Sequence, residues 1–79
     1  VMTRYEILTQ AKESRCQEVQ GYQINIDNYT LAIQHIDDLR DDDLSQFREH
    51  LASLLLSERL EQKKAKVMLA VLTKQLEKL

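Results

Sequence analysis

The chain contains no proline and a single glycine, Gly21, in 79 residues. Proline and glycine are the strongest local breaks in helices and the usual makers of tight turns. A chain almost without them can run in long helices and has few means of joining many short strands. Apolar residues make up 43%, enough for a core, so wholesale disorder is not expected. At this length one domain is the limit, and a single core is close to marginal.

The periodicity agrees with helices. Thr3-Arg4-Tyr5-Glu6 matches a capping box, in which the threonine oxygen and the glutamate satisfy free backbone N–H groups at a helix start. Val19, Tyr22, Ile26, Tyr29, Ile33 and Ile36 recur at alternating spacings of three and four, the seam of a helix lying against another helix. Lys12 and Arg15 fall on the strict seam toward the N-terminus, so packing should loosen there. Gly21 costs about 1 kcal/mol relative to alanine inside a helix; a close helix crossing or a slight bend is the expected reason for it. Leu44, Phe47, Leu51 and Leu54 open a second seam, which Ala65, Leu69, Leu72, Leu76 and Leu79 resume. Glu58 and either Glu61 or Gln62 occupy the seam between them. A break near 57–64 is conceivable, but the stretch consists of good helix formers. The reading is therefore an all-α, single-domain chain over 2–79: an antiparallel helical hairpin with helix 1 at about 4–39, a turn at about 40–43 and helix 2 at about 43–78. Each helix should be about 54 Å long. Val1 ahead of Met2 reads as an extra residue, with Met2 the natural start.

Asp41, Asp42 and Asp43 stand at the turn. A calcium loop starting at Asp41 would need glycine where Gln46 stands and glutamate where Ala52 stands; one starting at Asp37 reaches Arg48 at its twelfth position. Aspartate is instead a preferred N-cap and complements the helix dipole, with Asp43 and Gln46 as a capping pair and Asp42 or Asp41 as the alternative cap. His35 and His50 should lie at similar heights near the bend. No His-x3-His or Cys-x2-Cys spacing accompanies them, and Cys16 is about 30 Å away along its helix. No metal and no cofactor is expected. Nor is there a nucleophile elbow or a phosphate-cradling glycine loop, so catalysis on a small-molecule substrate is not expected.

Charge is uneven. Residues 1–40 carry a net −2, 41–57 a net −3 and 58–79 a net +3. Folding at residue 41 sets the basic arm beside acidic residues of helix 1, with Lys64 at the height of Glu18 and Glu61 at that of Tyr22. Such pairs favour one register. Arg59, Lys63 and Lys66 share a face and could contact phosphates, but the pI near 5.6 argues against nucleic acid. A lone cysteine fits a reducing, cytoplasmic setting, and no apolar run is long enough to span a membrane.

Apolar residues remain over. Ile24, Leu31, Leu56, Leu60, Val67 and Val71 lie off the two seams, and Val67 to Leu72 is apolar all the way round. A helix of that kind belongs inside a larger bundle. The expectation is a non-enzymatic interaction protein that dimerises into a four-helix bundle through these six residues. It would meet a partner protein through a bundle surface, with Asp37, Asp38, Asp41, Asp42 and Asp43 as one candidate. The alternative is a small accessory regulator of the bacterial or phage sort, touching DNA or RNA through Arg59, Lys63 and Lys66.

Overall fold

In the computed structural model, which describes residues 1–79, two long helices fold back on each other. Helix α1 spans Arg4–Leu39 and helix α2 spans Ser45–Glu77, joined by one 3-10 turn at Asp42–Leu44. The molecule is a rod of 58 × 16 × 16 Å. No helix is long and apolar enough to cross a membrane.

The N-terminus of α1 is held by the capping box. Thr3 Oγ1 accepts a hydrogen bond from the Glu6 backbone N–H at 3.2 Å and donates to the Glu6 carboxylate at 3.2 Å. Its C-terminus stops where Arg40 takes the left-handed conformation, φ 50° and ψ 43°. That conformation reverses the chain and is unfavourable for any residue but glycine.

The reversal uses Asp41, the alternative cap, in place of the Asp43–Gln46 pair. Asp41 is extended, and its side chain accepts from the Asp43 N–H at 3.0 Å, capping the 3-10 turn. Ser45 Oγ donates to the Asp42 carbonyl at 3.0 Å. Helix α2 has Leu44 at its cap position and no side-chain cap. A 3-10 turn ahead of the helix moves the capping role upstream, to the first residue that is still extended.

α2 runs without interruption through 57–64. Side chains facing α1 recur with heptad spacing from Leu44 through Arg48, Leu51, Leu55, Glu58 and Gln62 to Leu76, all buried or half-buried. The facing positions of α1 do the same from Leu8 to Ile36. Phe47, counted on the seam from its spacing, is 51% exposed, and Arg48 takes the inward place. Leu79, the seam's last expected member, also lies exposed beyond the helix end.

Only five residues are buried, and none completely: Ile26 and Ile36 on α1, and Leu51, Gln62 and Ala65 on α2. None lies on the N-terminal half of α1, where Lys12 and Arg15 occupy half-buried seam positions. A polar layer interrupts the seam there. Gln62 Nε2 donates to the Val19 carbonyl at 3.2 Å and to Gln23 Oε1 at 2.9 Å. One turn nearer the bend, Asn25 Nδ2 donates to Glu58 Oε1 at 3.5 Å. These bonds fix the register of one helix against the other, since a slip of either would strand a buried amide.

A Cβ added at Gly21 would meet nothing within 4 Å. The expected close crossing is therefore not made within the hairpin, and the glycine faces open space. The expected charge register also differs. Lys64 pairs with Glu61 at 3.0 Å and Glu18 with Arg15 at 3.0 Å, each within its own helix.

Candidate functional site

Exposed charge and apolar surface concentrate in three places: the bend, the outer faces of the two helices, and the basic arm of α2.

At the bend, helix geometry brings Asp37, near the end of α1, against Arg48, one turn into α2. Arg48 Nε donates to Asp37 Oδ1 at 2.6 Å and Nη2 donates to Oδ2 at 3.0 Å. This two-pronged contact holds the Asp37 carboxyl below its ordinary pKa, chiefly through the hydrogen bonds and further through the guanidinium charge. The same contact raises Arg48. A shallow open cleft of about 190 Å³ lies beside the pair, lined by Ile36, Asp37, Arg40, Asp41, Asp42, Ser45 and Arg48. Two guanidinium groups thus stand among the carboxylates. Of the five acidic residues singled out at the bend, Asp37 is neutralised by Arg48 and Asp41 is used as a cap. The Asp38, Asp42 and Asp43 carboxylates make no hydrogen bond or ion pair and are exposed.

His35 and His50 are both exposed. No group of three His, Cys, Asp or Glu side chains converges to hold a metal ion. Cys16 is a half-buried free thiol. Tyr22 reaches Glu18 on its own helix, Oη donating to Oε1 at 3.4 Å, rather than Glu61 across the seam. Its phenol is raised above the ordinary value, first by desolvation between the helices, then by the negative charge of Glu18, with Glu61 and Glu58 adding smaller effects of the same sign. Glu58 contributes an oxygen, Oε2, that is buried without a partner.

The outer faces carry the apolar surplus. Ile24 precedes the buried Ile26 by two residues, about 200° around the helix at ~100° per residue, so it points away from α2. Leu31 holds the same relation to Tyr29 and Ile33, and both side chains are 61% exposed. On α2, Leu60 stands two residues before Gln62 and Val67 two after Ala65. Together with Leu56 and Val71 they form a stripe whose exposure ranges from 43% at Val71 to 68% at Leu56. These two stripes lie on opposite sides of the rod. Within Val67 to Leu72, Leu69 and Leu72 turn inward to half-buried positions, while Val67, Met68, Ala70 and Val71 are exposed.

Arg59, Lys63 and Lys66 are exposed and have no acidic group within 4.0 Å. They project from the same arm that carries the apolar stripe. Arg48 and Gln62 were not singled out as functional from the sequence. The signal for each was present: both are seam positions by strict heptad count from Leu51 and Ala65, occupied by residues too polar to be read as core.

A scan against protein-family models finds no match, and searches of the curated proteins and of the solved structures find no significant similarity.

Proposed function

We propose that this chain is a non-enzymatic protein–protein interaction module that acts as a homodimeric helical bundle. One observation carries the reading: six large apolar side chains, 43–68% exposed, stand outside a seam that buries only five residues. Full burial of a side chain of this size contributes roughly 1.5–3 kcal/mol, and these are still 43–68% exposed, so a second surface that covers the remainder is favoured. Soluble monomers rarely leave contiguous apolar stripes open. Dimerisation into four helices is the simplest cover, with Ile24, Leu31, Leu56, Leu60, Val67 and Val71 as the interface candidates.

The dimer would present the bend to a partner protein. Asp38, Asp42 and Asp43 are unpaired there, and they suit a basic patch on that partner. Light scattering across a concentration series tests the dimer: a mass of twice 9.3 kDa supports it, and a persistent monomer removes it. A Lys/Arg-rich peptide serves as the probe for the bend. Its binding should weaken when Asp38, Asp42 and Asp43 become asparagine, and equal binding to both forms rejects the bend as the surface.

The competing reading is a regulator that contacts DNA or RNA through Arg59, Lys63 and Lys66, which have no acidic partners. It requires association with generic duplex that falls steeply with salt. No binding at low salt discards it.

A further inference from the structure

The outer stripe of α2 is symmetric in a way that dimerisation alone does not require. Leu56 and Leu60 precede the Lys63–Lys64 pair by the same intervals at which Val71 and Val67 follow it. At ~100° per residue, these four side chains fall within a ~60° arc of the helix. Glu49 and Lys78 lie on the same arc, again at equal intervals from the central lysines. The stripe thus reads alike in both directions for its apolar members and carries opposite charges at its two ends. Turned end over end, it is complementary to itself, as an isologous two-fold contact demands.

We propose that a second copy of this chain docks antiparallel on the outer face of α2, with the two-fold axis passing between Lys63 and Lys64. This rests on the dimeric reading above and fixes its geometry. Leu56 meets the partner's Val71, Leu60 meets the partner's Val67, and Glu49 meets the partner's Lys78. A parallel arrangement would align each apolar residue with its own copy just as well. It would also set Glu49 against Glu49, and Lys74 and Lys78 against themselves, and like charges in register disfavour that pairing.

The central lysines oppose the contact. Lys64 Nζ is already 3.0 Å from Glu61 Oε1, so its charge is compensated within each copy. Lys63 has no such partner and is the one unfavourable member of the stripe. The four helices lie in the order α1, α2, then the partner's α2 and α1. Ile24 and Leu31, on the opposite side of the rod, stay outside this contact, so this geometry narrows the six interface candidates to the four on α2.

Cross-linking tests the direction. In a Cys16→Ser background, Leu60→Cys and Val67→Cys proteins are mixed in equal amounts and oxidised. Mass spectrometry should find the 60–67 link well above the 60–60 and 67–67 links. Val67→Asp should weaken self-association at least roughly tenfold, because each copy would bury an unpaired charge, with helicity by circular dichroism retained. Lys63→Leu should strengthen it. Dominant 60–60 and 67–67 links, or a dimer indifferent to Val67→Asp and Lys63→Leu, would overturn this geometry while leaving a dimer in place. A monomer at high concentration would overturn both the geometry and the dimeric reading.

Discussion

Arg48 and Asp37 form the one ion pair that joins the two helices, gripping each other through two hydrogen bonds of 2.6 and 3.0 Å just above the bend. Because Asp37 is held below its ordinary value of 3.8, the pair stabilises the fold above that value. The stabilisation is lost as pH falls through the lower folded-state value, while Arg48 stays protonated throughout. Thermal melts should therefore drop as the pH is taken below 3.8. Asp37→Asn should melt a few degrees lower at neutral pH and lose less on acidification.

Gln62 offers a sharper test of the seam. Its amide donates across to Val19 and Gln23 from a buried position. Gln62→Ala removes two hydrogen bonds and leaves a void, and should cost about 1–3 kcal/mol in denaturant unfolding. A change within the error of the measurement would mean that water replaces the amide freely.

Two positions should gain from swaps in opposite directions. Gly21 sits inside α1 at negative φ with open space where a Cβ would be. Gly21→Ala should raise stability by about 0.5–1 kcal/mol. Arg40 holds φ 50°, so Arg40→Gly should relieve about 1 kcal/mol of left-handed strain. Both are read from equilibrium unfolding midpoints. Destabilisation by Gly21→Ala would reveal a close neighbour at that glycine supplied by another molecule.

Ile26 and Leu51 lie in the best-packed part of the seam. Truncating either to alanine should cost about 2–5 kcal/mol, a large share of the stability of a small fold. Circular dichroism at moderate temperature should show helix loss for both, and none for the exposed Leu31→Ala.

Tyr22 should titrate above 10.0. Its raised value means that the fold gains from the neutral phenol below the unfolded-state value, and that this gain disappears as pH rises through the folded one. Ultraviolet titration should show Glu18→Gln lowering the value without restoring it fully, since desolvation is the larger cause.

Much of the hairpin was legible because its signals are local. The Thr3–Glu6 box needs four residues, and the run from Val19 to Ile36 states its own inward face. Phe47 shows where such reading fails. Spacing from Leu44 placed it inside, but Leu44 belongs to a 3-10 turn, which advances by a different angle per residue. Arg48 faces inward instead, laying its stem along the seam while its head returns to Asp37. Apolar periodicity cannot anticipate an arginine at such a place. Gln62 posed the same difficulty against Glu61, and the amide wins because it can donate twice without burying a charge. The surfaces were legible only as a surplus. That Ile24 and Leu31 face away from Leu60 and Val67 follows only once the facing residues are known.

The uneven depth of packing along the rod has a mechanical consequence. Firm burial begins near Ala65 and runs to the bend, so the free ends of the two helices should splay first, and amide exchange should rise steadily toward Arg4 and Glu77. In the antiparallel pair, the loose tip of each molecule rests alongside the firm base of the other. Each copy would then act as a splint for its twin, and the slowest exchange would spread to the tips as the protein is concentrated.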